Sequence, residues 1–425
     1  MSTNNYILNL LNIKDANIHI ITECKEQIIK GKNYKIIEGI LTYNPNCCPH
    51  CGIINQSTND IIKWGFRKNW IVKIPKQGNF LTRLILHKQR FFCKNCNNTF
   101  IAETELVDKN KNISNNTNLQ IKLELMEKQS EKDIAKRMDV SVSVIDRILN
   151  EISSHTVLRY PTLPNSMNLD EFKDTKGKMA FIITDNDKGN LFDINDSRKS
   201  RDLENFFKRY SKKDRDNVKH ISVDFYSGYI YLAKKLFKNA DISIDRFHIV
   251  VQAYNALNCT RINLCKKDNP YYNKLKDYWK LIVKNENDLS EEKHYSKHFK
   301  KEISQKDIVQ FLINTDSILK ATYECYQGLI NSLKQNEFEK FKAIVFNNNH
   351  NISPKMKQAL KLYKENINYI ENSFKYEINN GIIEGTNNLI KCIKRIAFGY
   401  KKYDHFIARI FLIKGIVKGW FFIIP

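Results

Sequence analysis

The sequence predicts a multidomain fold with an N-terminal zinc-binding β module, a helix-turn-helix and a larger α/β domain that an all-helical insertion interrupts. Three observations lead to this prediction. Two Cys-x-x-Cys pairs lie before residue 100, two short helical patterns joined by a tight turn follow them, and apolar runs of strand length alternate with helical periods from residue 166 onward. Such alternation is typical of α/β domains. The predicted domains are residues 1–110, 111–160 and 161–425, with the insertion at about residues 261–373.

The charge balance predicts a polyanionic partner. The 425 residues include 69 Lys and Arg against 46 Asp and Glu, which gives a net charge of +23. A basic ribosomal or membrane-surface protein could share that charge, but a 42% hydrophobic content is enough for two or three packed domains. Residues 1–20 lack the apolar core of a signal peptide, and the apolar run at residues 420–424 is too short to span a bilayer. We expect a soluble, cytoplasmic, nucleoid-associated protein without a membrane partner.

The cysteine spacing predicts a zinc site in the first domain. In a chain expected in the cytosol, cysteine pairs are typical of metal ligands before disulfides, and two pairs can supply four thiolates to one tetrahedral Zn²⁺. A redox pair is the alternative interpretation, and Cys47 and His50 are near enough in sequence to be spare ligands. The predicted zinc ligands are Cys48, Cys51, Cys93 and Cys96.

The segment between the cysteine pairs is basic and strand-like. It contains no Asp or Glu from Ile61 to Ala102. Its interleaved aromatic residues are predicted to build a small β core while the cations face phosphates, although a charged run can also be a solvated surface. The aromatic residues are Trp64, Phe66, Trp70, Phe91 and Phe92. The cations predicted to contact DNA are Arg67, Lys68 and Arg90.

A helix-turn-helix is predicted after an Asn-rich linker at residues 109–118 and a helix at residues 121–128. Ser130 and Asp133 have the spacing of a capping box at the start of a second helix. A short turn at residues 139–141 then leads to a third helix. Two helices joined this tightly could also form an ordinary helical hairpin. The third helix would present Ser143, Asp146 and Arg147 to a DNA groove.

The larger domain has the element order of a ribonuclease-H-like sheet. Three strands are followed by a helix, a strand, a helix and a strand. The predicted strands are residues 167–173, 178–184, 190–195, 218–224 and 241–245, and the predicted helices are residues 201–210 and 226–237. Asp170 lies on the first strand and Asp224 at the end of the fourth. These strands are neighbours in such a sheet, so the two carboxylates can meet over one metal ion.

A later helix carries a polar face that begins with Glu384. Asn387, Asn388, Lys391 and Arg395 follow at roughly helical spacing, while apolar residues form a separate face. Two strand aspartates and one helix glutamate suit two Mg²⁺ or Mn²⁺ ions held against a scissile phosphate. The cations predicted to contact DNA here are Lys391, Lys394 and Arg395, and Asn388 is a predicted supporting residue. Other acids near these positions are Glu171, Asp174, Asp185, Glu371 and Glu377.

Taken together, these motifs resemble bacterial insertion-sequence transposases of the ISL-three type, a branch of the Asp-Asp-Glu transposases. The matching stretches are residues 48–52, 90–96 with 99–100, 170–172, 223–225 with Tyr229, 245–250, 383–391 with 394–395, and 398–400. The resemblance implies that Asp170, Asp224 and Glu384 are catalytic and that Asp245 and His248 support them. It also implies a zinc finger and helix-turn-helix that bind terminal inverted repeats, and a catalytic domain that cuts and joins target DNA.

Several alternatives stay open at the level of sequence. The predicted helical insertion could hold the DNA end, hold the partner of a homodimer or larger assembly formed on DNA ends, or simply pack. The apolar stretch at residues 418–425 departs from the family pattern, as a frameshifted or inactive copy would. A sequence-specific DNA-binding regulator and a nuclease without joining activity are the competing functions.

Overall fold

The computed structural model describes residues 3–56, 59–155, 162–347, 351–376, 381–397, 399–400 and 402–416. The chain divides into two compact units, one formed by Met1–Val157 with Ile390–Pro425 and the other by Leu158–Leu389. Glu377 and the apolar stretch predicted at residues 418–425 lie outside the described residues. No helix in the described ranges is long and apolar enough to cross a membrane.

The strands are β1 (Ile18–Ile20), β2 (Lys25–Ile29), β3 (Lys32–Leu41), β4 (Ile61–Gln77), β5 (Phe80–Cys93), β6 (Thr99–Ile101), β7 (Ser166–Lys173), β8 (Met179–Asp185), β9 (Asn190–Asn195), β10 (His220–Val223), β11 (Asp241–Ile244), β12 (Lys293–Ser296) and β13 (Lys301–Ser304). The helices are α1 (Thr3–Leu10), α2 (Asn115–Glu124), α3 (Glu131–Arg137), α4 (Val142–His155), α5 (Ser200–Lys208), α6 (Lys212–Asp216), α7 (Ser227–Leu236), α8 (Arg246–Leu264), α9 (Tyr272–Asp277), α10 (Trp279–Ile282), α11 (Gln305–Ile313), α12 (Ser317–Lys334), α13 (Phe338–Phe346), α14 (Pro354–Glu365), α15 (Ile367–Lys375), α16 (Gly381–Ile396) and α17 (Tyr403–Ile413).

The first unit is built on a six-stranded sheet in which β4 and β5 form a long antiparallel ribbon. The order is β1-β3-β5-β4, with β2 paired to β3 and β6 paired to β5. Buried side chains such as Leu84, Leu86 and Phe91 form its core. The prediction that all five aromatic residues of the ribbon are core is wrong, because Trp64 and Phe66 are 54% and 41% exposed.

Three helices follow this sheet, and serine caps set the starts of the first two. Ser114 accepts a hydrogen bond from the Thr117 N–H, so α2 begins at Asn115. Part of the predicted Asn-rich linker is therefore helical, and the predicted helix at residues 121–128 begins and ends earlier than expected. The predicted cap at Ser130 is present, since its side chain accepts from the Asp133 N–H at 3.1 Å. The helices α3 and α4 then follow with a short connection, as predicted.

The turn between α3 and α4 is fixed by an ion cluster around Asp139. Its carboxylate lies 3.0 Å from the Arg83 guanidinium, 3.1 Å from Lys32 Nζ and 3.6 Å from Lys73 Nζ. Burial acts to raise the pKa of Asp139, but Arg83, Lys32, Lys73 and Tyr34 together hold it below its ordinary 3.8. The cluster therefore fastens the turn to the sheet of the same unit.

The structure places the C-terminal residues with the first unit, whereas the sequence assigned residues 161–425 to one catalytic domain. The helix α17 packs against α4. Arg409 is fully buried, and its guanidinium donates to the carbonyl oxygens of Leu125, Glu127 and Gln129. These contacts are distant in sequence, so no local pattern indicated them.

The second unit contains the predicted mixed sheet. Its order is β11-β10-β7-β8-β9, with β10 parallel to β7 and β11, and β8 antiparallel to β7 and β9. This is the order expected of a ribonuclease-H-like sheet, and each predicted strand is present within about two residues. The short helix α6 was not predicted. Helices α5 and α7 contribute Leu203, Phe207 and Tyr229 to the core beside the sheet.

The region predicted as an all-helical insertion is mostly helical but contains a β-hairpin. Helices α9 to α15 account for most of residues 261–373, and β12 pairs with β13 in antiparallel register. Lys300 has a positive φ of 51° in the turn before β13. The prediction is therefore wrong for residues 293–304, where exposed polar residues give no helical apolar stripe.

Candidate functional site

The parallel strands β7, β10 and β11 bring three aspartates to one row. The register pairs Asn168 with Ser222, and Ser222 with Ser243. Asp170 follows Asn168 by two residues on β7, and Asp224 and Asp245 follow Ser222 and Ser243 by two residues, directly after the last residues of β10 and β11. The three aspartates therefore lie at one level of the sheet, with Asp224 and Asp245 just beyond their strand ends. The sequence prediction that Asp170 and Asp224 lie on neighbouring strands is therefore confirmed at the level of the sheet.

The surroundings of Asp224 concentrate negative charge. Burial raises the pKa of Asp224 above its ordinary 3.8, and the charges of Glu171 and Asp170 raise it further. The backbone N–H of Tyr226, which donates to Asp224 Oδ1 at 2.8 Å, and the charge of His248 act in the opposite direction. An acid in this setting is stabilised in its ionised form by a nearby cation.

Glu171 contributes to this acidic cluster although the sequence treated it only as a neighbour of Asp170. Tyr229 donates its hydroxyl to Glu171 Oε1, and Arg198 donates to Oε2 at 2.9 Å. The Glu171 side chain is only 13% exposed, whereas that of Arg198 is 56% exposed. Burial and the hydrogen bond to Glu171 raise the pKa of Tyr229, so the phenol stays protonated. The sequence feature that marked Glu171 is its position directly after Asp170 on β7.

The helix α16 reaches the sheet through Asn387. Its Nδ2 donates to Asp170 Oδ2 at 2.9 Å, while Asp170 Oδ1 accepts from the Glu171 N–H at 2.7 Å. Glu384 lies one helical turn before Asn387 and is exposed. Asn388, the predicted supporting residue, is also exposed, and Asn387 is the amide that touches an aspartate.

The three predicted catalytic carboxylates do not form a tight cluster. Among the described residues, no set of three carboxylates has its oxygen atoms within 4.8 Å of one another. Asp170 and Asp224 are electrostatically coupled across adjacent strands. The structure therefore couples these two aspartates and places Glu384 on the helix that binds Asp170.

The Asp245-x-x-His248 motif lies at the start of α8. Asp245 is buried and caps the helix by accepting from the Phe247 N–H at 2.8 Å, and its own N–H donates to the Val223 carbonyl at 2.8 Å. His248 is half-buried and interacts electrostatically with Asp224. Asp245 thus holds the helix start that carries His248 beside the aspartate row.

The remaining acids that the sequence offered have local structural partners. Asp174 accepts from the N–H groups of Lys176 and Lys178, and Asp185 accepts from those of Asp187 and Lys188. Both therefore stabilise turns, as expected from their positions. Glu371 lies within α15 and pairs with Lys375 at 3.5 Å.

The four predicted zinc ligands meet in the first unit. Cys48 Sγ lies 3.7 Å from Cys96 Sγ, and Cys51 Sγ lies 3.7 Å from Cys93 Sγ. All four sulfurs lie within 4.8 Å of one another. A tetrahedral Zn²⁺ with Zn–S bonds of about 2.3 Å has sulfur–sulfur edges of about 3.8 Å, so the spacing fits this ion. The Asn95 amide and the Ile53 backbone lower the pKa of the exposed Cys51 to about 6, whereas burial raises the pKa of Cys93 to about 11.

The predicted DNA-contacting residues are mostly exposed. Those that are exposed are Arg67, Lys68, Arg90, Ser143, Arg147, Lys391 and Arg395. Lys394 is half-buried. Asp146 was predicted to face a groove with Ser143 and Arg147, but it pairs with Lys402 at 3.2 Å and with His405 at 3.4 Å. It is therefore engaged within the unit.

Comparison with known proteins adds a family and one relative. The model of a family described as transposase, of the Asp-Asp-Glu ISL-three type, matches residues 167–410, which is more than half of the chain. A curated relative from Lactococcus lactis subsp. lactis, named ATP-dependent protease, is 27% identical over 132 residues. The similar region covers 30% of this chain and 42% of the relative, so the chain spans less than half the length of that relative.

Proposed function

The chain belongs to the ISL-three transposase family, and on that premise we propose that it binds the terminal inverted repeats of an insertion sequence and catalyses metal-dependent strand cleavage and strand transfer. The observation that carries the proposal is that Asp224 directly follows β10, the neighbour of the strand that holds Asp170, with Asn387 of α16 bound to Asp170. Glu384 on the same helix would supply the third carboxylate.

The acidic cluster fits hard divalent cations. Carboxylate oxygens are the preferred ligands of Mg²⁺ and Mn²⁺, and the mutual repulsion of Asp170, Glu171 and Asp224 is relieved by a cation. Asp170 and Asp224 would hold one ion, and Asp170 and Glu384 the other. When bound, such ions activate a water or hydroxyl nucleophile and stabilise the leaving 3′ oxygen.

The protein groups around the carboxylates would orient them. Asn387 fixes one oxygen of Asp170 and the Glu171 N–H fixes the other, so the direction of this carboxylate is set before metal binds. The Tyr226 N–H does the same for Asp224. Arg198, which is exposed beside Glu171, is placed to neutralise charge at the edge of the cluster.

The first unit would bind the DNA ends. Zn²⁺ held by the four cysteines would fix the base of the β4–β5 ribbon, where exposed cations are available for phosphates. Arg147 and Ser143 on α4 are exposed as a recognition helix requires. The partners are therefore terminal-repeat and target DNA, with a homodimer or larger assembly formed on the ends.

Two other functions receive less support. A DNA-binding regulator would not need Asp170, Asp224 and Glu384, all of which are present. The ATP-dependent activity in the name of the Lactococcus relative would require a phosphate-binding loop, and the 425 residues contain no G-x-x-x-x-G-K-[ST] motif.

A pair of variants separates binding from chemistry. Asp224→Asn keeps side-chain size but removes the charge that holds a cation, so it should abolish cleavage of a duplex carrying the element end while end binding stays near normal. Arg147→Ala should weaken end binding and leave the acidic site intact. Cleavage by Asp224→Asn in Mg²⁺ at the wild-type rate would refute the assigned site.

A further inference from the structure

The middle of β4 stands out because seven successive residues, Lys63 to Asn69, are exposed. In a sheet strand with one packed face, alternate residues are buried, as they are later in the same strand at Val72 and Ile74. The segment Lys63–Asn69, here called the ribbon edge, therefore has neither of its faces packed against the core.

The backbone of the ribbon edge is shaped by two left-handed residues. Gly65 has a φ of 74° and Asn69 a φ of 62°, and the register with β5 shifts around both positions. The buried Gln89 donates to the Gly65 carbonyl at 2.8 Å, which anchors the first irregularity. A β-bulge of this kind redirects side chains and is common beside binding sites.

Aromatic rings are displayed on this edge. Trp64 is 54% exposed and Phe66 is 41% exposed, and the Trp64 ring lies 5.3 Å from that of Phe92. Exposing rings of this size to water is unfavourable, so a partner that covers them is expected. Trp64 and Phe66 did not become core although the sequence pattern predicted it.

Cations flank these rings. Lys63, Arg67 and Lys68 lie on the ribbon edge, and Arg90 is exposed on β5. The sequence has no Asp or Glu from Ile61 to Ala102, and Glu103 acts electrostatically on Lys88 of β5. An apolar protein partner would not require this excess of positive charge, whereas a nucleic acid would.

The combination of rings and cations points to unpaired bases. In a duplex the base faces are stacked on one another, so a flat side chain reaches them only where pairing is interrupted. Proteins that hold single strands combine a cationic groove with aromatic rings on which bases stack. We propose that the ribbon edge binds unpaired nucleotides of DNA, with Trp64 and Phe66 as stacking residues and Arg67 and Lys68 on the phosphates. The inference rests on the proposed function, in which cleavage frees a DNA end.

The test compares two probes on the full-length protein: a blunt duplex carrying the element end, and the same duplex with a single-stranded thymidine overhang. Wild type should bind the overhang probe about tenfold or more tightly, since stacking of even one base supplies that factor. Trp64→Leu and Phe66→Leu should each remove most of this preference and leave binding to the blunt duplex unchanged. Trp64 fluorescence should be quenched by the overhang probe and not by the blunt one.

Two control variants distinguish base stacking by Trp64 and Phe66 from the effects of other exposed side chains on the same strand. Ile71→Ala removes an apolar side chain that is 41% exposed on the same strand, and it should leave both affinities unchanged. Lys68→Ala should weaken binding of the overhang probe, reduce the salt dependence of that binding, and leave the fluorescence quenching of Trp64 by the bound overhang in place. Zinc content and circular dichroism of each variant check that the ribbon is folded.

The outcomes separate this inference from the proposed function. Stacking by the ribbon edge is overturned if wild type binds the blunt duplex and the overhang probe with equal affinity. It is also overturned if Trp64→Leu lowers the affinity for both probes equally. The proposed function stands in either case. A change of oligomeric state in Trp64→Leu, seen by sedimentation, would make the edge a protein interface and also overturn it. If wild type binds neither probe, both the stacking inference and the proposed function are contradicted.

Discussion

Replacing Arg409 by methionine is expected to destabilise the first unit, because methionine fills much of the same volume without donors. Arg409 is fully buried and donates to three carbonyl oxygens at the end of α2 and in the loop before α3. Glu127 O has a second donor, the Gln129 N–H, whereas the described hydrogen bonds give Leu125 O and Gln129 O no donor besides Arg409.

The magnitude follows from these two carbonyl groups. A buried acceptor left without a donor costs about 1–3 kcal/mol, so two cost roughly 2–6 kcal/mol, and burial of the methionine offsets part of this. A net loss of about 3 kcal/mol lowers the melting temperature of a unit of this size by about 6–12 °C.

Scanning calorimetry measures this change, and the transition of the first unit is identified as the one that zinc chelation shifts. Arg395→Met is the matched control, because Arg395 is exposed in the same unit. A midpoint for Arg409→Met equal to that of Arg395→Met would refute the argument that α17 completes the fold around α2 to α4.

Three further predictions concern the metal site, the ion cluster and the acidic site. Cys96→Ser should lose most of the one Zn²⁺ expected per chain, since three thiolates do not close a tetrahedral structural site; unchanged zinc content by elemental analysis would contradict the assignment. Asp139→Asn should lower unfolding free energy by about 1–3 kcal/mol at neutral pH. The pKa of Asp139 is depressed in the folded state, so the stabilisation by its carboxylate is fully present above pH 3.8 and is lost as the pH falls through the lower folded-state pKa. The denaturation midpoints of Asp139→Asn and wild type should therefore converge in acid. Asn387→Leu should slow cleavage about ten- to a hundredfold by releasing the Asp170 carboxylate. Asn388→Leu, at an exposed position, should change the cleavage rate much less. Equal effects of the two variants in a cleavage assay would count against a role for the Asn387–Asp170 hydrogen bond.

Local patterns were sufficient to predict the elements that carry the acids. The short buried strand β10 ends directly before Asp224, and Asp170 lies within the strand-like segment of β7, so both positions followed from local sequence. The cysteine pairs were equally local, because each pair is set by its own tight turn. Helix α6 was missed since Lys212–Asp216 contains no apolar residue to mark a helical face.

What the sequence did not indicate depends on contacts between distant segments. Whether Asn387 or Asn388 touches Asp170 depends on how α16 is rotated against the sheet, and successive helix residues differ by about 100°. Arg409 would ordinarily be expected at the surface, and its hydrogen bonds to the carbonyl oxygens of Leu125, Glu127 and Gln129 account for its burial. Trp64 and Phe66 are exposed because the bulges at Gly65 and Asn69 lift the strand from its packing surface.

Asp170, Asp224 and Glu384 are proposed to form one metal-dependent active site, and the rates of strand cleavage and strand transfer by Glu384→Gln test this proposal. The control is Glu371→Gln, since Glu371 is paired only with Lys375 among its described ion pairs. With a duplex carrying the element end and Mg²⁺, Glu384→Gln should be at least about a hundredfold slower in both steps. DNA binding should persist, Glu371→Gln should retain wild-type rates, and Ca²⁺ in place of Mg²⁺ should permit binding without chemistry. Equal rates for Glu384→Gln and wild type, or no cleavage by wild type with either Mg²⁺ or Mn²⁺, would contradict it.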